Sequence, residues 1–498
     1  MRKLFLITVA AVLWLCSCTG RKAQDLSDVK SVEDFRGHSV AVPMGSSYDL
    51  MLSEIDGIEV VRLGLGELMV AVEKGRADFC ISDQYLVKIL DLESRGLIAL
   101  FDNILPGTAA AGFRKQDSLL CSQFNAYLSD LMASGEYARW KEEWLSAPDS
   151  MASVSFGIPV HGKDPDKRTL KVGVTIVYPY IFLNEEGLTG LEIDLFSRFC
   201  LSAGYQVEYE VNEFTALIPA LNSGKIDVIL SHMRKTEERA KQVLFSDPYI
   251  EGGGAAICRD WKNQDKKFRP GLGERLKDSF NDNLVVEQRW KLLVDGLWET
   301  LSISLFSIIA AILMGILFCR LHMSSRNVVS KSAGTAISLL QGIPLLIILM
   351  LMFYVVFASS GITGTWVTVM SFGLYYGAYF SEVFRTGMES VDKGQWEAGF
   401  ALGLGKFQTF RKVVLPQALN RIIPVLKGEV IALIKMTSVV GYVAVIDLTK
   451  ASDIIRSRTF DAFFPLILVS IIYILLAWLT GWALDAVDRK LTPKSRES

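Results

Sequence analysis

GQWEAGFALGLGKFQTFRKVVLPQAL, residues 394–419, is the stretch from which the rest of the chain can be placed. Two pieces with apolar residues at helical spacing flank Gly403 and Gly405, and the second carries Lys406, Arg411 and Lys412. This pattern predicts helix, turn, helix: a short rigid projection with Glu397 and Ala398 near its start and a glycine that lets the backbone turn back. Long apolar runs lie on both sides, at 365–384 before it and 422–446 after it, then further out at 297–319, 334–357 and 463–484. A bilayer core needs roughly 20 apolar residues per helix, so the sequence predicts an all-α bundle of five membrane spans within 291–491. Cytoplasmic loops carry the excess of Lys and Arg. The first connection has Arg320, Arg326 and Lys331, the second has none, and the third has Arg385, Lys393, Lys406, Arg411, Lys412 and Arg421. The fourth balances Lys450, Arg456 and Arg458 with Asp447, Asp453 and Asp461, and the tail is basic again. This alternation predicts that the third connection and the C-terminus lie in the cytoplasm, and that everything before Leu292 lies outside.

Residues 394–419 resemble the EAA loop of ATP-binding-cassette import permeases, the element that docks onto the ATPase subunit in that family. The segments QGIPLL (Gln341–Leu346), YYGAYFSEVFRTG (Tyr375–Gly387) and LIKMTSVVGYVAVIDLT (Leu433–Thr449) resemble its polar-amino-acid branch, and the likeness covers Leu292 to Leu491. It implies an ATPase homodimer supplied in trans, a permease homodimer around one pathway, and Glu397, Ala398 and Gly403 as coupling residues. Departures are Gln341 where the family usually has Arg, Gly399 where it has Ala, and Met436 where it often has Asp. Polar groups inside a membrane are costly and often functional. Glu382, Lys435 and Ser438 are therefore candidates for the permeation path, with Arg385 beside them. For Arg385 and Lys435, snorkelling at a helix end is an equal reading.

At 498 residues the chain exceeds one hydrophobic core. Its 50% hydrophobic fraction is concentrated after Leu292, and its formal net charge of −2 gives no basic surface for nucleic acid. No metal cluster, nucleophile with a base, or paired carboxylates converge, so no cofactor and no metal are expected and an enzyme is not the reading. Residues 1–20, with two cations and then a short apolar stretch, read as an export signal. Leu15-Cys16-Ser17-Cys18 resembles a bacterial lipoprotein box with Cys18 as the lipidated residue, and an uncleaved anchor is the alternative. Of the seven cysteines, Cys80, Cys121, Cys200 and Cys258 are scattered through the region before the spans, and buried free thiols are the simpler reading than a disulfide.

Between Ser27 and Trp261 short runs rich in Val, Ile and Leu alternate with helical stretches, which predicts two α/β lobes with largely parallel sheets. Strands are expected at His38–Pro43, Ile58–Leu63, Asp78–Ile81, Thr169–Val174, Gln206–Val211 and Asp227–Ser231. Ligands of such sheets bind at the C-terminal strand ends. The segments TLKVGV, GLEIDLFSRF, LIPALNSGKIDVIL, TEERA and FSDPY, within 168–261, resemble the first part of solute-binding proteins for polar amino acids. VEDFRGHSVAVPMGSS, AVEKGRADFCISD and LMASGEYARWKEEWL, within 27–150, resemble the second part. The order is reversed, which reads as a circular permutant or as two partial copies. The resemblance implies that Arg239 holds a ligand α-carboxylate with the Gly45 and Ser46 amides, that Asp83 meets the α-ammonium, and that Tyr180 and Phe214 pack on the ligand. Ser231 and Arg234 are further candidate ligand-binding residues, and the family commonly has Gly and Thr where this chain has His232 and Arg234.

Residues 262–290 read as a charged linker that, if flexible, would span roughly 30 Å on average. The expected fold class is mixed, a two-lobed α/β periplasmic-binding-protein-like domain followed by an all-α five-helix transmembrane permease bundle. The expected function is an inner-membrane importer subunit for a polar amino acid such as glutamine or glutamate, not itself an ATPase. A ligand-gated channel or transmembrane sensor built on the same binding fold is the alternative, although no TVGYG-like filter is present.

Overall fold

The computed structural model describes residues 25–154, 167–185, 187–262, 272–358, 360–461 and 463–491. The export signal over 1–20, with Cys18, lies outside the described residues, as do 263–271 of the expected linker. Before residue 150 the strands are β1 (Ser39–Pro43), β2 (Glu59–Leu63), β3 (Phe79–Asp83), β4 (Leu97–Ala109) and β5 (Gly112–Phe113). After residue 168 they are β6 (Thr169–Val174), β7 (Phe182–Asn184), β8 (Gly187–Thr189), β9 (Gln206–Val211), β10 (Val228–Leu230), β11 (Leu244–Phe245) and β12 (Ile250–Arg259).

Two five-stranded sheets result, in the orders β2-β1-β3-β12-β4 and β11-β5-β10-β6-β9. Their interior strands are continuous apolar runs because both faces are covered: Val40, Ala41, Val42, Phe79, Cys80 and Ile81 are all fully buried. The sheets are mixed, where largely parallel ones were expected. β1 is parallel to β2 and β3, and β6 to β9 and β10, but β12 runs antiparallel to β3 and β4, and β5 antiparallel to β10 and β11. The cause is the chain path. It leaves the first sheet after Ala109, enters the second at Gly112, and returns between Phe245 and Ile250, so the crossing strands meet their new neighbours head to tail. Each sheet therefore contains strands from both sides of residue 150.

The first unit, built on the first sheet, comprises 25–109 and 250–261; the second comprises 112–154 and 167–245. Helices Ser118–Ala133, Glu136–Ser146 and Leu191–Ala203 cover the second sheet. Their contact is aromatic, with the Phe124 ring 5.4 Å from Phe196 and 5.1 Å from Phe199. Trp144 is fully buried and donates its indole N–H to Asp194 at 3.3 Å. Cys80, Cys121, Cys200 and Cys258 are buried free thiols.

The helical half has α1 (Trp290–His322), α2 (Asn327–Gly342), α3 (Leu345–Leu351), α4 (Gly364–Glu389), α5 (Lys393–Ala401), α6 (Lys406–Thr409), α7 (Leu415–Met436), α8 (Leu448–Thr459) and α9 (Phe463–Leu491). Among the described residues, α1 and α9 are long and apolar enough to cross a membrane unaided, and two bent pairs raise the number to as many as four. The span expected over 334–357 is one of these pairs: α2 and α3 meet at 103°. Ile343 before Pro344 is forced into extended backbone (φ −99°, ψ 132°), which ends α2. The span expected over 422–446 is the other. It continues from α7 through a tight turn to Val443 and bends 54° into α8. α4, rich in Thr, Ser, Gly and Tyr, packs on α1 through small residues. A Cβ on Gly373 would lie 2.6 Å from that of Ala310, and one on Gly377 2.6 Å from that of Met314, the close backbone approach typical of helix pairs in lipid.

The stretch expected to be a linker differs as well. Residues 272–285 are helical, and Asn283 is buried with its amide on Asp461 at 2.9 Å.

Candidate functional site

The C-terminal ends of β1 and β3 face the loops after β6 and β10 across a closed seam between the two units. Asp83 ends β3 and caps the helix Gln84–Ile89, where its Oδ1 accepts the amides of Tyr85 at 2.8 Å and Leu86 at 3.4 Å. Helix N-termini favour such a carboxylate. From the second unit the Tyr180 hydroxyl donates to the same oxygen at 3.0 Å, and His232 Nε2 stands 3.5 Å from Oδ2. Burial would raise the Asp83 carboxyl, but His232, the Tyr85 amide and the Tyr180 hydroxyl outweigh it and hold it below its ordinary value. Tyr180 is fully buried and stacks on His232, with centroids 3.9 Å apart and planes 9° apart.

Arg239, on the short helix Glu237–Ala240, is 8% exposed. Its guanidinium donates to the Arg234 carbonyl at 3.0 Å and, across the seam, to the Gly45 carbonyl at 2.9 Å, and it lies 5.2 Å over the Phe214 ring. Burial lowers its pKa. Arg234 is equally buried and also crosses the seam, donating to the Tyr48 hydroxyl at 2.8 Å, the Gly252 carbonyl at 3.1 Å and the Leu105 carbonyl.

The structure thus brings together Asp83, Tyr180, His232, Arg234, Arg239, Phe214 and Gly45. The Gly45 and Ser46 amides point elsewhere: Gly45 N–H donates to Asp49 at 3.0 Å and Ser46 N–H to the Pro43 carbonyl at 3.1 Å. The Ser46 hydroxyl caps Asp49 N–H at 3.2 Å. Ser231 is buried, and its hydroxyl has no hydrogen-bond partner among the described residues.

Sequence reading missed Glu192. It is fully buried at the start of the helix Leu191–Ala203, and its two oxygens accept the His232 N–H at 3.1 and 2.9 Å; one of them also accepts the Tyr249 hydroxyl at 3.1 Å. Burial raises its pKa. The one available signal was an acid inside the apolar run LEIDLF.

Helix α8 carries cations to both units. Lys450 pairs with Glu213 and Arg458 with Asp149 in the second unit, while Arg456 pairs with Glu67 in the first. The Arg458 guanidinium also lies 3.9 Å over the Tyr178 ring, and Arg95 of the first unit donates to the Phe460 carbonyl at 2.6 Å. Ile454 and Phe460 share a buried apolar cluster with residues of both units.

At the other end of the bundle, residues 393–409 form helix, turn, helix, with Gly403 at φ 78° in the turn. Glu397 and Ala398 are exposed, as are Phe400, Leu402 and Phe407. Gly399 is buried against Thr409, whose methyl and hydroxyl occupy the space a Cβ would need. Of the path candidates, Glu382 is paired to Arg385 at 2.6 Å and faces His322 at 3.4 Å, whereas Lys435 and Ser438 are exposed on α7 and the turn after it.

Residues 307–493 match the model of the family described as binding-protein-dependent transport system inner membrane component. A putative glutamine transport system permease protein, GlnP, of Rickettsia bellii is 34% identical over 40% of this chain and 92% of its own length. A probable amino-acid ABC transporter permease protein, YckA, of Bacillus subtilis is 34% identical over 39% of this chain and 86% of its own. A crystal structure titled as an amino acid ABC transporter with histidines is 28% identical over 45% of this chain and all of that one, with a TM-score of 0.38. With nearly the whole of these two curated relatives accounted for by its helical half, the chain belongs to the inner membrane components of binding-protein-dependent transport systems.

Proposed function

We propose that this chain is the permease of an ATP-driven importer of a polar amino acid, glutamine or glutamate or a close relative, joined to its own solute-binding domain. The names of the curated relatives support amino acid as the cargo class. The observation that carries the binding-domain half is the seam. A buried guanidinium, Arg239, and a partly buried carboxylate, Asp83, come from opposite units of a two-sheet fold, as a zwitterion held across a closing cleft requires. The two units are read as the lobes of one circularly permuted domain, a reading supported by the exchange of β5 and β12 between sheets.

In this reading the lobes close on the amino acid while α8, an outer element between the last two spans, holds both. Partner ATPases close beneath Glu397, Ala398 and Gly403, whose exposed apolar neighbours Phe400, Leu402 and Phe407 are the docking surface. Two copies pair around one path, with Lys435 and Ser438 facing it and the C-terminus in the cytoplasm. Residues 1–20 export the N-terminal half, with Cys18 as the lipid-bearing residue.

The test is uptake of radiolabelled glutamine and glutamate into vesicles that hold the full chain with its co-purified ATPase. ATP-dependent uptake abolished by Arg239→Ala supports the whole scheme. Uptake unaffected by that substitution removes the N-terminal half from the transport path.

A further inference from the structure

We infer that the His232 imidazole occupies the ammonium seat of the cleft, so that a ligand must displace the protein's own side chain to reach Asp83. The inference rests on the amino-acid reading above and specifies how that site is gated. Asp83 Oδ1 is taken by Tyr180 and by two amides, which leaves Oδ2 for an incoming cation, and His232 Nε2 stands on that oxygen at 3.5 Å. The ring also covers the face of Tyr180 on which a ligand would pack, parallel to it at 3.9 Å.

Backbone geometry delivers the ring there. His232 has φ 46°, a left-handed conformation that glycine adopts freely and other residues adopt at a cost. Glu192 pins it by accepting the His232 N–H with both oxygens. The other ring nitrogen, Nδ1, is buried without a hydrogen-bond partner among the described residues, so no second bond holds the ring in its seat.

The groups that face this ring are Asp83 from the first unit, Glu192 from the helix Leu191–Ala203 and the Tyr180 hydroxyl beside Asp83, with Tyr249 behind Glu192. Arg234, two residues on, is turned away to Tyr48, Leu105 and Gly252. The ring must therefore leave Oδ2 before a ligand ammonium can take it.

The experiment is calorimetric titration of the full chain in nanodiscs with L-glutamine and L-glutamate. Wild type, His232→Gly and His232→Asn are compared; Gly and Asn both tolerate the left-handed backbone, and neither side chain can become a cation. Both variants are expected to bind about tenfold more tightly than wild type, since neither leaves a ring on Oδ2. Heat that appears only in the variants supports the inference equally. Any effect of Glu192 is common to all three proteins, so the difference between them isolates the imidazole. Unchanged or weaker affinity in both variants would overturn the inference and leave the amino-acid site standing. No heat from any of the three folded proteins would overturn the amino-acid site, and the inference with it.

Discussion

The Arg456 guanidinium of α8 is ion-paired with Glu67 of the first unit, and the Arg456 backbone lies against Gly66, where a Cβ would stand 2.9 Å from its carbonyl. Six residues earlier on the same helix, Lys450 holds the second unit through Glu213. One rigid helix therefore registers the spacing of the two units.

Removing either contact should uncouple binding from transport. Arg456→Ala breaks a pair that is buried on one side and partly exposed on the other, which weakens docking by about 1–2 kcal/mol. Gly66→Leu drives a side chain into the α8 backbone. Both variants should lose most ligand stimulation of ATPase activity in the assembled transporter, while ligand affinity stays within about twofold. Full stimulation in both would show that α8 is not the coupling contact.

Arg239→Ala should weaken amino-acid binding by about a hundredfold or more, since a buried charge-assisted pair is lost and the Gly45 and Arg234 carbonyls lose their donor. Arg239→Lys should recover only part of this, because an ammonium lacks the planar fork. Titration of the full chain distinguishes them, and equal affinities for Arg and Lys would refute two-point recognition.

Glu192 predicts a pH effect on stability. Its folded pKa is raised by burial, so the protonated form is the one the fold prefers. The resulting stability is fully present below the unfolded carboxyl value, about 4.3, and is lost as pH rises through the higher folded value. Glu192→Gln keeps one acceptor oxygen, which can take both the His232 N–H and the Tyr249 hydroxyl, and cannot ionise. Its thermal midpoint should exceed that of wild type near neutral pH, and the gap should close in acid. A variant less stable than wild type at neutral pH would mean that the ionised carboxylate is the stabilising form.

Trp144→Ala should destabilise the second unit by about 3–5 kcal/mol, the usual cost of emptying a large buried aromatic site, with the Asp194 bond lost as well. Thermal unfolding followed by tryptophan emission should show the second unit melting early. A change under about 1 kcal/mol would mean that neighbouring rings collapse into the space.

Gly399→Val should prevent co-purification of the ATPase subunit, because Thr409 leaves no room for a branched side chain inside the helical hairpin. Retained co-purification would place the ATPase contact elsewhere.

Strands such as β1, β6 and β9 were legible to within a residue, because β1 is a short apolar run and β6 and β9 set Leu, Val or Tyr at alternate positions. β12 was not. Its sequence, IEGGGAAICR, reads as a turn, yet the glycines are what admit it: a Cβ on Gly253 would lie 2.7 Å from the Asn103 Cα, and one on Gly254 2.9 Å from the Tyr48 ring. β4 was hidden by Asn103, Leu105 and Pro106, where the register slips against β12 and both Asn103 and Leu105 take positive φ. At the candidate site, the charges that meet across the seam, Asp83 and Arg239, were readable from motif. The Gly45 and Ser46 amides were not, since Asp49 and Pro43, their acceptors, lie within the same local turn. The breaks in the bundle escaped because hydropathy counts apolar residues and is blind to the direction of the helix axis.

The covalent continuity of β12 with α1 sets the kinetic order of the proposed cycle. A free carrier meets its membrane partner by collision, so its throughput scales with carrier abundance and falls when the compartment swells. A tethered one docks in a first-order step at an effective concentration on the order of millimolar. Uptake then responds to ligand alone, is indifferent to dilution, and is never blocked by a surplus of empty carriers.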